Sequence, residues 1–134
     1  MAVQKITWEE VGATSSNALL SPAYKSNGHV FASGHVGADD NNEFPPDVTE
    51  QTHLAIKSLE KTLIAAGSNL SKVLKVLLFV ANPKGAAAVN KVYAQYFTTQ
   101  PARSCVVVGF PNNQILVELE CVAEYDDLDK LAKL

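Results

Sequence analysis

Two apolar segments of the sequence each carry a pair of reactive side chains two positions apart. One pair is an arginine and a thiol, and the other is two carboxylates. Arg103 and Cys105 lie in the first segment, and Glu118 and Glu120 lie in the second. Because side chains alternate between the two faces of a strand, each pair shares one face of its own strand. An arginine can hold a carboxylate bidentately, and a carboxylate beside it can position or deprotonate a water molecule.

The two segments are predicted to be neighbouring strands. They span Arg103–Phe110 and Ile115–Tyr125, and the intervening Pro111–Gln114 has the composition of a turn. If Phe110 lies opposite Ile115, the arginine and the thiol share a sheet face with both glutamates. The other face of this predicted hairpin is then almost wholly apolar and should receive the helices.

Two interpretations of the charged face remain open. In the first it is a solvated face, where the arginine and a glutamate form a surface ion pair worth ~0–1 kcal/mol. In the second, another subunit covers it, because Val107, Leu116 and Val122 also lie there and are poorly suited to solvent. The charged groups would then line a pocket between subunits.

The elements that must position these groups follow from periodicity and turn signals. Val3–Trp8 suits an opening strand, and Asn27-Gly28 predicts a hairpin between two further strands. Apolar residues at three- and four-residue steps predict a helix over about 48–66, with Asp47 as N-cap and Gly67 as stop.

Downstream, the continuous apolar run Val73–Ala81 predicts a central strand covered on both faces. Pro83 and Gly85 then open a second helix. The order β, ββ, α, β, α, ββ indicates an α+β fold, with two helices on one face of a mixed six-stranded sheet. We expect one domain over residues 1–125 and a short tail over residues 126–134.

Composition excludes several classes of function. The chain has 134 residues, 47% of them hydrophobic and 19% charged, with a net charge of −3. This charge does not favour nucleic-acid binding, which needs clustered Lys and Arg. The sequence has no apolar run long enough for a membrane span and no recognisable leader. A cytoplasmic location is expected, although the sequence does not distinguish it from a mitochondrial or nuclear one.

No metal or organic cofactor is indicated. The three histidines, His29, His35 and His53, do not show metal-ligand spacing, and the glycines form no nucleotide-binding pattern. Two cysteines, Cys105 and Cys121, are too few for a disulfide scaffold or a four-thiolate zinc site.

The sequence resembles the reactive-intermediate deaminase family, also called the Rid or YjgF-like family. The resemblance covers roughly residues 25–124 and is strongest in Pro101-Ala-Arg-Ser-Cys and in the later Glu118-Leu-Glu. Further matching segments are Phe31-Ala-Ser-Gly, Gln51-Thr, Ala65-Ala-Gly, Val73–Asn82 and Asn90-x-x-Tyr-x-x-Tyr-Phe.

This resemblance implies a chorismate-mutase-like fold assembled as a homotrimer, with clefts between subunits. It implies hydrolysis of small 2-enamine and 2-imine acids, such as 2-aminoacrylate and 2-iminobutanoate, to 2-oxo acids and ammonia without a cofactor. Arg103 would hold the substrate carboxylate, Glu118 would orient or activate water, and the Cys105 backbone would contact the imine nitrogen. Ser33 would line the cleft.

The sequence also departs from the family pattern. Leu20 stands where the deaminases carry a tyrosine, Tyr24 lies nearer to Ser33, His35 replaces a usual glutamine, and Ala86 replaces a frequent phenylalanine. Tyr24 and His35 are nevertheless expected among the substrate-binding residues. A trimer that binds small carboxylates or a partner without turnover is the alternative function, and an endoribonuclease is a weaker one.

Overall fold

The computed structural model describes residues 3–13 and 16–126. In chain order, its helices and strands are β1 Gln4–Ile6, α1 Trp8–Val11, β2 Ala23–Ser26, β3 His29–Val36, α2 Val48–Ala65, β4 Val73–Val80, α3 Ala86–Tyr96, β5 Ala102–Val107 and β6 Val117–Glu124. Because residues 127–134 lie outside this description, the division into a domain and a tail stays a prediction.

The six strands form one sheet in the order β1-β2-β3-β6-β4-β5. β4 and β5 run parallel, whereas every other neighbouring pair is antiparallel. The predicted mixed six-stranded sheet and the α+β class are therefore confirmed. The predicted Asn27-Gly28 turn is also confirmed, since both residues have positive φ between β2 and β3.

The prediction of a hairpin between the last two strands is wrong. β6 pairs with β3 and β4, and among the described strands β5 pairs only with the far side of β4. The physical reason is that α3 connects β4 to β5 as a crossover, and such a connection places the second strand parallel to the first. The chain then passes from the sheet edge at β5 back into the sheet interior at β6.

The long helix α2 forms where the periodicity predicts it. Asp47 caps its N-terminus by accepting a hydrogen bond from the Thr49 N–H at 3.1 Å. Beyond its C-terminus, Gly67 adopts a φ of +82°, which an L side chain rarely adopts. The helix buries one continuous stripe against the sheet, formed by Gln51, Thr52, Ala55, Ile56, Leu59, Thr62 and Leu63.

The helices α2 and α3 cover only one face of the sheet. The covered face of β4 is buried at Val76, Leu78 and Val80, whereas Leu77 and Phe79 on the other face are only half-buried. The prediction that β4 is covered on both faces is therefore wrong for the single chain. We call the uncovered side the open face; its other members include Tyr24, Phe31, Ser104, Val106, Glu118, Glu120 and Val122.

The opening segment differs from its prediction in one respect. Only Gln4–Ile6 is a strand, and a short helix follows, in which Thr7 and Glu10 form a reciprocal capping box. Among the described residues, no helix combines the length and apolar character that crossing a membrane requires.

Candidate functional site

Glu118 lies in the interior of the sheet, on the open face. It pairs with Val36 of β3 on one side and with Phe79 of β4 on the other. Burial raises the pKa of its carboxyl above the usual value, and the charge of Glu120 raises it further. A carboxyl with a raised pKa exchanges protons more readily near neutral pH, which suits acid–base chemistry.

A glycine allows this carboxylate to approach the backbone of β3. A methyl group added at Gly34 would lie 2.7 Å from Oε2 of Glu118, well inside normal contact distance. The Ser33-Gly34 pair and the Glu118 carboxyl, which the sequence places 84 positions apart or more, therefore form one continuous surface. A side chain at position 34 would require the Glu118 carboxyl to shift.

Ser33 and Gly34 form a β-bulge against β6. The register advances from the pair Ala32–Cys121 to the pair His35–Leu119, so two residues of β3 oppose one residue of β6. The loop that precedes β2 also holds the bulge in place through two hydrogen bonds. The Ser33 hydroxyl donates to the Ser21 carbonyl at 2.6 Å, and the Ser33 N–H donates to the Pro22 carbonyl at 2.9 Å.

The bulge also determines the place of His35, which was expected to bind substrate. The extra residue turns His35 onto the covered face, where it is only 6% exposed beneath α2. Its Nδ1 donates to the Ser33 carbonyl at 2.6 Å, and its Nε2 accepts from the Thr62 hydroxyl at 2.8 Å. Burial lowers the pKa of the imidazole. His35 therefore stabilises the bulge from the covered face and does not join Glu118 on the open face.

Arg103 lies at the edge of the sheet, on β5. Its Nη1 donates to Oδ1 of Asn90 at 2.8 Å, and its guanidinium carbon lies 4.7 Å from the centre of the Tyr93 ring. Both partners belong to α3, so Arg103 projects on the covered face. The rest of β5 is exposed along its whole length, including Cys105, whose thiol is free.

The alternation expected to unite Arg103 and Glu118 is therefore wrong for a single chain. Arg103 pairs with Val76 and Cys105 pairs with Leu78, both of which point to the helices. Glu118, in contrast, shares the open face with Val106 through Phe79. The parallel pairing of β5 with β4 reverses the face that the hairpin would have assigned to β5. In one chain the cation and the carboxylate are on opposite sides of the sheet.

Tyr24 and Leu20 lie on the side of the site nearest β1. Tyr24 pairs with Phe31 on the open face and is 41% exposed. Leu20 is 45% exposed, and its carbonyl accepts a hydrogen bond from the Trp8 indole at 3.0 Å. Trp8, Leu20 and Tyr24 line a cavity of about 480 Å³ together with other residues of the 17–22 loop. Ala86 is the first residue of α3, on the same helix as Asn90.

Three contributors appear in the matching sequence segments but were given no role from the sequence: Asn90 and Tyr93, which contact Arg103, and Gly34, which leaves space for the Glu118 carboxyl. The spacing of Asn90 and Tyr93, one helical turn apart, was the available signal. Within residues 3–13 and 16–126, no group of three or more His, Cys, Asp or Glu side chains could hold a metal ion.

Comparison with known proteins decides the family. The sequence model described as Endoribonuclease L-PSP, which is the Rid or YjgF family, matches residues 12–125. The chain belongs to this family. It is 35% identical over 113 residues to the mitochondrial protein mmf1 of Schizosaccharomyces pombe, covering 81% of this chain and 70% of that protein.

Two further similarities agree with the family assignment. The chain is 31% identical over 99 residues to an Escherichia coli protein named "Putative reactive intermediate deaminase TdcF", covering 70% of this chain and 77% of that one. The solved yeast structure YEO7 superposes with a TM-score of 0.85 at 31% identity, covering 93% of this chain and all of that one. The family resemblance seen in the sequence is thereby confirmed.

Proposed function

We propose that this protein hydrolyses small 2-enamine and 2-imine acids to 2-oxo acids and ammonia, in clefts between copies of the chain. The observation that carries the proposal is the arrangement of Arg103 and Glu118 on opposite faces of one sheet. Each is accessible, and neither has an oppositely charged partner among the described residues. A cation and a carboxylate placed in this way can complete one site only when two copies meet.

The open face supports assembly into a homotrimer. Tyr24, Phe31 and Val106 on this face are 40–51% exposed, and Val107 at the edge is 56% exposed. Apolar sheet surface of this kind is ordinarily covered by a partner. A ring of three copies would place the β5 edge of one copy over the open face of the next, and it would bring Arg103 of one copy to Glu118 of its neighbour.

Arg103 supplies the recognition in this proposal. Asn90 accepts a hydrogen bond from one of the five N–H groups of Arg103, so the remaining donors can hold a substrate carboxylate as a bidentate pair. Fixing the carboxylate orients the adjacent C2 atom, which carries the imine nitrogen. The exposed β5 backbone at Cys105 would contact that nitrogen, and Ser33 and Tyr24 of the neighbouring copy would line the cleft.

Glu118 supplies the proton transfers. The oxygen of a water molecule attacks C2 of the imine while the carboxylate accepts one water proton and passes it to the nitrogen. The resulting carbinolamine loses its hydroxyl proton to the nitrogen through the same carboxylate, and the C–N bond breaks to release ammonia. An enamine enters this sequence once it has gained a proton at C3 and lost one from nitrogen, which converts it to the imine. No redox step occurs, so the proposal requires no cofactor.

A coupled assay tests the proposed function. A threonine or serine dehydratase generates the unstable imine, and semicarbazide traps whatever has not been hydrolysed. Wild-type protein should accelerate loss of the imine, and Arg103→Ala should lower kcat/KM by about a hundredfold, because a bidentate charged contact is lost. Arg103→Lys keeps the charge but not the planar fork, so its activity should fall between the two.

The result of the coupled assay also distinguishes the enzyme from a protein that binds carboxylates without turnover. If the wild-type chain binds 2-oxobutyrate but leaves the imine lifetime unchanged, the protein is a carboxylate-binding module and the enzymatic proposal fails. The family description names an endoribonuclease activity, but a net charge of −3 does not favour RNA binding.

The cytoplasmic location expected from the sequence stays a prediction; the relative mmf1 carries a mitochondrial name.

A further inference from the structure

Arg103 belongs to a strand that does little to restrain the position of its guanidinium. All six residues of β5 are exposed, and within residues 3–13 and 16–126 only one side of the strand is paired. A long side chain on such an edge samples many rotamers, and a ligand that requires one of them must first order it. Any group that fixes the guanidinium beforehand would therefore raise the affinity for a carboxylate.

Two residues of α3 provide this restraint from two directions. The amide oxygen of Asn90 accepts a hydrogen bond from Nη1 at 2.8 Å and so fixes the rotation of the guanidinium plane. The ring of Tyr93 lies under the guanidinium, with 4.7 Å between the ring centre and Cζ. Asn90 and Tyr93 are three positions apart, so they project from the same side of the helix.

The Tyr93 ring is itself fixed in place. It is 8% exposed and stacks on Phe97, with 4.3 Å between the ring centres and 23° between the planes. Phe97 is 2% exposed and belongs to the hydrophobic core. The guanidinium thus rests on a platform that is continuous with the core, although Arg103 itself is exposed.

The chemistry of the two partners preserves the charge of Arg103. An amide oxygen and an aromatic face attract a cation, but neither neutralises it as a carboxylate would. We propose that Asn90 and Tyr93 are positioning residues that pre-orient Arg103 for a substrate carboxylate. This inference rests on the proposed function, since it assigns the carboxylate grip to Arg103.

The test measures steady-state kinetics of Asn90→Ala and Tyr93→Leu in the coupled imine assay. Each variant should raise KM about tenfold, the factor expected for one lost hydrogen bond or cation–π contact, and should leave kcat within about twofold. Tyr93→Phe keeps the ring without the hydroxyl and should retain wild-type KM. Gln95→Ala, an exposed position of α3, is the matched control.

A second readout separates this inference from the proposed reaction. Calorimetric titration with 2-oxobutyrate, together with thermal melting of each variant, measures carboxylate binding without turnover. The expected result is an approximately tenfold weaker Kd for Asn90→Ala and Tyr93→Leu, with Tyr93→Phe unchanged. If the wild-type chain binds 2-oxobutyrate but hydrolyses no imine, the proposed function fails and this Kd series alone decides the inference. Equal Kd values in all chains, or no binding to wild type, would overturn the positioning role.

Discussion

The two halves of the proposed site are held in very different ways. The Glu118 half lies in the sheet interior, where β6 is paired on both sides and the Ser33-Gly34 bulge is fixed by loop and helix contacts. The Arg103 half lies on the edge strand, where one side has no paired neighbour in the described part of the chain and α3 provides the contacts to Arg103.

This difference suggests a division of labour. Proton transfer depends on the position of a carboxylate to within a fraction of an ångström, so the role proposed for Glu118 would benefit from a rigid sheet interior. Recognition of a carboxylate tolerates more freedom, and an edge strand is the part of the sheet that a neighbouring copy can reach. In the proposed assembly, folding of one chain completes the first half, and association of two chains brings the second half to it.

Mixing two inactive variants tests that division most severely. Arg103→Ala and Glu118→Gln should each reduce kcat/KM by about a hundredfold. Unfolding and refolding the two together in equal amounts should restore about a quarter of wild-type activity, because an intact site needs its two halves from unlike chains in a randomly mixed ring. The same variants mixed without unfolding are the control.

Activity of the refolded mixture that does not exceed that of the single variants would place both groups in one chain. It would contradict the separation of the two halves.

Gly34→Ala tests the rigidity of the Glu118 half with a single methyl group. The added carbon would lie 2.7 Å from Oε2 of Glu118, so the carboxylate must move. We expect kcat to fall about tenfold, with KM little changed because Arg103 is untouched. Gly109→Ala, where an added methyl group meets nothing within 4 Å, serves as the matched control. Unchanged kcat for Gly34→Ala would show that the carboxylate position is not critical.

His35→Gln should give the smallest effect, which appears in stability and not in catalysis. The pKa of His35 is lowered in the folded chain, so as the pH falls through 6.5 the unfolded chain takes up a proton that the folded chain resists. Wild-type stability should therefore fall more steeply than that of His35→Gln between pH 7 and pH 5.

Urea unfolding midpoints at the two pH values measure this difference. Glu118, whose pKa is raised, is present in both chains, so its contribution cancels in the comparison. Equal slopes for the two chains would contradict the burial of a neutral imidazole behind the bulge.

Sequence patterns were sufficient where local signals dominate. The α2 stripe, its Asp47 cap and the Asn27-Gly28 turn are all encoded within a few residues of where they act. The faces of β5 and β6 were not predictable in the same way. They depend on which strand lies between the two, and that follows from the crossover through α3, whereas a short turn sequence suggested direct pairing.

The location of His35 shows the same limit on a smaller scale. Strict alternation along β3 cannot place it, because one extra residue at the Ser33-Gly34 bulge moves every later side chain to the other face. The family resemblance, in contrast, implied Arg103, Glu118 and Ser33 as site residues without requiring any register. Whether these residues act catalytically stays a prediction.

The position of β6 has a consequence for the order in which the molecule can form. It is the last in chain order of the six strands that the structure describes, yet it occupies the middle of the sheet between β3 and β4. While the chain is being synthesised, β1–β3 and β4–β5 are therefore two separate pieces with unpaired edges. The strand that carries Glu118 is synthesised after the other five and joins the two pieces, so the sheet and the surface around Glu118 become complete in the same step.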